Sequence, residues 1–193
     1  MKSIKYFTQF LIISILFLMF KILGLNFASY ISGKIISFVG PFFRSKNLIK
    51  SNILKAFPDL PQNEIEKITK KMWNNYGRIL AEYIFIKDFR LSKLENNIEI
   101  EGHEILEKIR QSNEPVIFIS GHFNNFELMA MQIEKSGINL AAIYRPLNNR
   151  FLNFIMERIR KKYICKNQIQ KGISGTRQLL SFFKKKTSIA LMI

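Results

Sequence analysis

An uncharged, strongly apolar run near the start of the chain most constrains how this sequence can fold. Fifteen residues, YFTQFLIISILFLMF, lie between Lys5 and Lys21, and the run extends through Leu25 if the Lys21 side chain reaches back to the polar surface. A segment of this length and apolarity must be buried, either in a bilayer or in a protein core. We expect a retained membrane anchor. A cleaved leader, for which NFASYIS is a poor cleavage site, and a buried core helix are the alternatives.

The distribution of charge favours an anionic membrane surface as a partner. The chain has 30 Lys and Arg against 14 Asp and Glu, a net charge of +16. Residues 1–55 carry eight of the basic residues and no carboxylate, interleaved with apolar runs. This combination is typical of a segment lying on or in an anionic bilayer, although basic residues on both sides leave open whether the helix crosses it. The alternative is a non-enzymatic basic protein that binds a membrane surface or RNA.

The residues that could hold a metal or a cofactor are few. The sequence has two histidines and one cysteine, Cys165, which give no convincing zinc site and no internal disulfide. The stretch KGISGTR lacks the Gly-Lys-Ser/Thr ending of a phosphate-binding loop. We therefore expect neither a metal nor a cofactor, and a reducing compartment.

Residues 60–85 show the three- and four-residue spacing of apolar side chains that predicts an amphipathic helix. Asp59 is placed to cap this helix, with Pro61 in its first turn and Gln62 closing a capping box. The apolar stripe must pack on the protein core or on the bilayer surface, and core packing is the simpler expectation.

Strand and helix signals alternate from residue 97 onward, which predicts an α/β fold. The predicted strands are 97–102, 115–120, 138–145 and 187–193, and the predicted helices are 103–112, 125–137, 150–163 and 176–186.

The predicted organisation has three parts. Residues 1–30 form a membrane anchor or interfacial helix, residues 31–95 a helical membrane-proximal region with amphipathic helices, and residues 96–193 an α/β core. We expect the core to contain a mixed, partly parallel sheet with flanking helices. Because no loop follows the last strand, where ligand-binding loops of such sheets usually lie, we expect the chain to be truncated at its C-terminus.

His122 follows the predicted strand PVIFIS and precedes Glu127 by five residues. In a continuous helix these two side chains would be rotated about 140° apart and could not meet. If Asn124 caps the next helix, Glu127 occupies the third helical position and can reach back toward the turn that carries His122. A carboxylate in that position orients an imidazole for general base catalysis. The alternative is a turn histidine beside a glutamate that only caps the helix.

The stretch SGHFNNFE resembles the first motif, His-x4-Asp/Glu, of the glycerolipid and lipid A acyltransferases. The segments RSKNLIKSNILKAFPDLPQNEIEKI, AEYIFI, IEIEGHEIL, PVIFISGHFNNFE and AIYRPLNNRFLNFIMERIR follow in the order seen in the lauroyl/myristoyl lipid A biosynthesis acyltransferases. The resemblance covers nearly the whole chain. It implies a glycerolipid acyltransferase-like fold whose pattern continues past SIALMI with an Asp-containing motif, so an inactive fragment is an alternative to an active enzyme.

The resemblance implies transfer of a fatty acyl chain from an acyl carrier protein thioester to a hydroxyl of a membrane glycolipid, a lipid A precursor, in lipopolysaccharide biosynthesis. His122 would act as general base and Glu127 would orient it. Arg145 and Arg158 match basic positions of the family and would contact anionic groups of the substrate, and Asn125 would also bind substrate. The location implied is the cytoplasmic face of the bacterial inner membrane.

The last part of the chain has the charge that such partners require. From Arg158 to Ile193 there are ten basic residues and no acidic one. A positive field of this kind attracts both a phosphorylated glycolipid and an acidic carrier protein. We expect no nucleic acid partner, because the sequence has no RNA-binding signature beyond its charge.

Overall fold

The computed structural model describes residues 2–91 and 93–192. The chain divides into two compact units, the first formed by Met1–Ser14 with Ile86–Ile193 and the second by Ile15–Phe85. The functional division at residues 30 and 95 stays a prediction.

Helices occupy most of the chain before the sheet. Their bounds are α1 Lys2–Leu23, α2 Leu25–Val39, α3 Lys46–Ala56, α4 Gln62–Glu82, α5 Ile86–Arg90 and α6 His103–Ser112. Within the described residues, α1 is the one helix long and apolar enough to cross a membrane. The apolar run is therefore a single helix, and its insertion in a bilayer stays a prediction.

The first turns of α1 pack against the start of a later helix, α8 (Arg150–Tyr163), within the first unit. The ring centroid of Phe151 lies 5.6 Å from that of Phe7 and 5.9 Å from that of Phe10. The buried Asn149 side chain donates a hydrogen bond from Nδ2 to the Tyr6 carbonyl at 2.8 Å. These contacts make the beginning of α1 part of the packing of the α/β unit.

Helices α2 and α4 pack closely in the second unit through small residues. Ala28, Ser32 and Gly33 are buried on α2, and Gly77 and Ala81 are buried on α4. A Cβ built at Gly77 would lie 2.3 Å from the Ser32 carbonyl oxygen, a backbone atom that has little room to move. The amphipathic helix predicted at 60–85 is thus confirmed as α4, and part of its buried face packs on a neighbouring helix.

Gly77→Ala is expected to destabilise the second unit by about 1–3 kcal/mol, because the new methyl group overpacks the contact with α2. Alanine's better helix propensity, about 1 kcal/mol, acts in the opposite direction and does not remove the collision. Unfolding in mild detergent, followed by circular dichroism, measures the effect. Lys71→Ala on the exposed side of α4 is the matched control. If the two variants were equally stable, the close packing of α2 on α4 would be disproved.

The predicted capping box at the start of α4 is wrong. The helix begins at Gln62 with Pro61 as the N-cap residue, and no side chain of the described residues caps it. Gln62 instead donates from Nε2 to Glu66 at 2.8 Å and accepts from Lys50 at 2.7 Å. Its side chain is therefore engaged along α4 and toward α3, and does not reach back to the cap position.

The described part of the first unit contains a four-stranded parallel sheet. Its strands are β1 Ile117–Ser120, β2 Leu140–Tyr144, β3 Asn167–Gln170 and β4 Ser188–Met192, in the spatial order β1-β4-β2-β3. Helices α7 Glu127–Lys135, α8 Arg150–Tyr163 and α9 Ile173–Lys184 alternate with the strands. The α/β class is confirmed, but in the described residues the sheet is parallel throughout and not mixed. Each connection contains a helix, which returns the chain so that the next strand runs in the same direction.

Two details of the strand pattern differ from the prediction. The strand predicted at 97–102 is not formed: residue 97 ends a 3₁₀ helix and residues 98–102 are irregular. Ile98 and Ile100 line a groove beside α7 and do not join the sheet. Strand β3 is not predicted from its sequence, NQIQ, which has only one apolar residue. That residue, Ile169, is fully buried in the cluster that joins β2, β3 and β4.

One buried cluster of the α/β unit lies between the sheet and α9. Ala141, Ile169 and Ile189 are fully buried, and Leu179 and Phe182 of α9 pack against them. Since all the strands are parallel, their carboxyl ends meet at one edge of the sheet, where ligand sites of α/β folds are found.

Candidate functional site

The loop after β1 carries His122 at the carboxyl edge of the sheet. The imidazole is exposed, and its ring centroid lies 5.0 Å from that of Phe126 in an edge-to-face arrangement. Asn124 adopts a left-handed backbone conformation with φ of +44° and does not cap the next helix. Helix α7 begins at Glu127 after Phe126, so Glu127 is its first residue and not its third.

Glu127 forms a buried ion pair with Arg160 of α8. Glu127 is 9% exposed, and its Oε1 accepts hydrogen bonds from Arg160 Nε at 2.8 Å and Nη2 at 2.5 Å. Burial raises the pKa of Glu127 above its ordinary value, while Arg160 acts in the lowering direction. In the part of the chain that the structure describes, no hydrogen bond joins Glu127 to His122, contrary to the geometry expected from the sequence. The carboxylate is instead bonded to Arg160.

A pocket of about 500 Å³ lies at this edge of the sheet. Its lining brings together three residues singled out in the sequence, His122, Glu127 and Arg145, with two further cations, Arg160 and Lys171. Arg145 follows the last residue of β2 directly, and its side chain is exposed.

The two other predicted substrate-binding residues lie outside this lining. Arg158 is exposed on α8, and Asn125 is buried in the turn before α7. Neither is among the described residues that line the pocket. Their binding roles stay predictions.

Arg160 and Lys171 are the basic pocket residues that the sequence did not predict, and Arg160 is the one that pairs with Glu127. Residues two apart on a helix are rotated by about 200°, so Arg158 and Arg160 point to opposite sides of α8. The available signal was polar spacing: Asn153, Glu157 and Arg160 lie four and three residues apart and share one helix face. A polar face on a helix that packs beside a sheet indicates buried hydrogen bonding.

Next to this ion pair, a hydrogen-bonded cluster ties the ends of β2 and β3 to α8. The Tyr144 hydroxyl is bonded to the Glu157 carboxylate, Gln170 Nε2 donates to the Tyr144 oxygen at 3.1 Å, and Asn153 Nδ2 donates to Glu157 at 2.9 Å. The Arg160 guanidinium lies 5.5 Å from the Tyr144 ring centroid. Burial, together with the bond to Glu157, raises the pKa of Tyr144, and the same bond holds the pKa of Glu157 below its ordinary value.

Cys165 has the surroundings of a packing residue. It is 1% exposed, and its Sγ donates to the Leu140 carbonyl at 3.0 Å. Burial raises the pKa of the thiol to about 11. A buried, protonated thiol is a poor nucleophile, which argues against a covalent acyl-cysteine.

We expect native Cys165 to react with N-ethylmaleimide at pH 8 about 100-fold more slowly than a free cysteine, because the raised pKa lowers the thiolate fraction and burial blocks access. The rate is measured before and after unfolding in urea. The matched control is Ser174→Cys, at an exposed position, in a Cys165→Ser background. Equal rates for the two native thiols would contradict the buried placement of Cys165.

Comparison with known proteins agrees with the resemblance seen in the motifs. Residues 1–193 match the family described as bacterial lipid A biosynthesis acyltransferase. The chain is 24% identical over 131 residues to the lipid A biosynthesis myristoyltransferase of Escherichia coli (strain K12), covering 68% of this chain and 40% of that protein. It is 25% identical over 142 residues to lipid A biosynthesis acyltransferase 2 of Shigella flexneri, covering 72% and 44%. The chain thus spans less than half the length of these relatives. Because the family match covers the whole chain, the chain belongs to the bacterial lipid A biosynthesis acyltransferase family.

Proposed function

We propose that this chain carries the reaction site of an acyltransferase of lipid A biosynthesis. The enzyme would move a fatty acyl chain from an acyl carrier protein thioester to a hydroxyl of a membrane glycolipid, a lipid A precursor. The observation that carries the proposal is the pocket at the carboxyl edge of the sheet, in a chain that matches the family throughout. There His122 shares one lining with the Glu127–Arg160 pair and Arg145.

His122 is proposed to take the proton from the acceptor hydroxyl as the hydroxyl oxygen attacks the thioester carbonyl. The carbon–sulfur bond then breaks, and the departing thiolate receives a proton from the imidazolium. General base assistance of this kind contributes about 10²–10⁴-fold to a rate. Direct attack by the acceptor suits this pocket, because the chain's one thiol, Cys165, is buried and held by the Leu140 carbonyl.

Glu127 has two proposed tasks. Its Oε1 accepts the hydrogen bonds from Arg160, and its carboxylate, which lines the same pocket as His122, would also orient the imidazole. Arg160, fixed by this pairing, would join Arg145 in stabilising negative charge on the carbonyl oxygen or in binding an acceptor phosphate. Arg158 and Asn125 are proposed to contact substrate outside the pocket that the structure describes.

The proposed site of action is the cytoplasmic face of a bacterial inner membrane. Helix α1 would anchor the chain there, since it is long and apolar enough to cross a bilayer. The ten basic residues from position 158 onward would attract both the acidic carrier protein and the anionic headgroup of the glycolipid.

Acyl transfer is tested with radiolabelled acyl carrier protein and a lipid A precursor, using membranes that contain the complete gene product. We expect a labelled, more highly acylated glycolipid. Labelling from acyl coenzyme A and not from the carrier protein would overturn the proposed donor. If no hydroxylated membrane lipid accepted label from either donor, the acyltransferase proposal itself would be wrong.

A further inference from the structure

Helix α2 has two faces of opposite character. Its inner face is made of small buried residues that contact α4. Its outer face and the following 3₁₀ turn carry solvent-exposed aromatic side chains. The exposed fractions of these aromatic residues are 67% for Phe27, 54% for Tyr30, 76% for Phe38, 81% for Phe42 and 79% for Phe43. Contiguous apolar surface of this kind is uncommon on soluble proteins and marks an interaction site.

We propose that these five residues, the aromatic face, form a second membrane-binding surface that inserts into the interface of an anionic bilayer. It is distinct from α1, because Gly24 interrupts the helix between the two with φ of +77°. The proposal does not depend on the acyl transfer reaction. It concerns how the second unit is held at the membrane.

The packing of α2 keeps the aromatic face outward. A Cβ at Gly33 would lie 2.8 Å from Asn74 Nδ2, and a Cβ at Gly40 would lie 2.3 Å from Cε3 of Trp73. The backbone of α2 therefore sits too close to α4 for larger side chains. Turning Phe38 inward would require the two helices to separate.

The charge around the aromatic face indicates that an anionic bilayer covers it. Lys34 lies between Tyr30 and Phe38 on the same helical face, and its Nζ is 5.5 Å from the Tyr30 ring centroid. Residues 2–55 contain no Asp or Glu. Aromatic rings interleaved with lysine suit an interface of anionic headgroups above acyl chains. A second copy of the same surface would instead bring like charges together without a carboxylate to balance them.

The surface is tested by placing an environment-sensitive fluorophore on the thiol introduced by Phe42→Cys, in a Cys165→Ser background. The labelled chain is reconstituted in phosphatidylcholine vesicles with and without phosphatidylglycerol. With phosphatidylglycerol, we expect quenching of the label by iodide from water to be largely lost and quenching by spin-labelled lipid to appear. Phe57→Cys, at an exposed position after α3, is the matched control and should stay open to iodide.

Three outcomes would overturn the proposal. The label at position 42 could be as open to iodide as the label at position 57. Its protection could be equal in vesicles without phosphatidylglycerol, which removes the anionic requirement. Its protection could also disappear on strong dilution of the protein in lipid, which identifies a second copy as the occupant. Phe27→Cys, at the other end of the aromatic face, repeats the test in case one variant folds poorly.

Discussion

Replacing His122 with alanine is expected to lower acyl transfer by about 10²–10⁴-fold and to leave the fold intact. The loss follows from removing the proposed base at the pocket. The fold should tolerate the change because the imidazole is exposed and, among the described residues, forms a ring contact with Phe126 and no side-chain hydrogen bond. The measurement is kcat/KM with acyl carrier protein as donor, together with the thermal unfolding of each variant.

The matched control is His103→Ala. His103 is also exposed, at the first position of α6, and it lines no part of the pocket that the structure describes. It should keep normal activity. If the His122 variant transferred acyl chains at the wild-type rate, the base would have to be another group, whereas a loss in both variants would indicate a general effect of histidine removal.

Arg160→Met is expected to lower the free energy of unfolding more than any other single change at the site, by about 3–5 kcal/mol at pH 8. The reason is that the Glu127 carboxylate would stay buried without the cation that pairs with it. The two side chains are only 13% and 11% exposed, so water compensates little for the lost pair. Urea unfolding in detergent, followed by circular dichroism, measures the change.

The same variant should show a distinctive pH dependence. Burial raises the folded pKa of Glu127 above its ordinary value of 4.5, so the folded chain holds this proton more tightly than the unfolded chain. The stability from protonation is fully present below the ordinary pKa and is lost as pH rises through the raised folded pKa. Arg160 lowers this pKa, so removing Arg160 raises the pKa further and moves the loss of stability to higher pH. The cost of Arg160→Met should therefore shrink on acidification toward pH 4.5.

Two further variants separate the ion pair from a general loss of positive charge. Arg158→Met removes an exposed arginine from the opposite side of α8 and should change stability by less than about 0.5 kcal/mol. Adding Glu127→Gln to Arg160→Met removes the unpaired charge and should restore much of the loss. A pH-independent cost of Arg160→Met, unaffected by Glu127→Gln, would assign the effect to packing alone.

Local sequence patterns were sufficient to predict the helices and strands whose apolar residues recur at regular spacing. Helix α8 occupies residues 150–163 as predicted, because its apolar spacing is regular and Asn149 caps it by accepting from the amides of Phe151 and Leu152. Strand β3 escapes prediction because its assignment depends on pairing with β2, a contact between distant parts of the chain. A four-residue polar strand has no local hydrophobic pattern of its own.

The site could be predicted in part for the same reason. His122 could be predicted because it comes just after a recognisable strand and shortly before a carboxylate, whereas Arg145 was predicted from the resemblance to the family. Both line the pocket at the carboxyl edge of the parallel sheet. The partner of Glu127 was misassigned because the backbone of the intervening turn, with Asn124 in a left-handed conformation, sets where α7 starts. The pairing with Arg160 joins residues 33 apart in sequence, so only the tertiary arrangement of α7 and α8 decides it.

The contact between α1 and the start of α8 bears on how this protein can be handled. Deleting the hydrophobic helix to obtain a water-soluble form would remove the Tyr6 carbonyl, which accepts a hydrogen bond from the buried Asn149 side chain. It would also expose the Phe151 ring. Asn149 is also the cap of α8, the helix that carries Arg160. A shortened version that expresses well in solution would therefore be a poor standard for the reaction, because the helix proposed to anchor the chain also packs on the helix that carries Arg160.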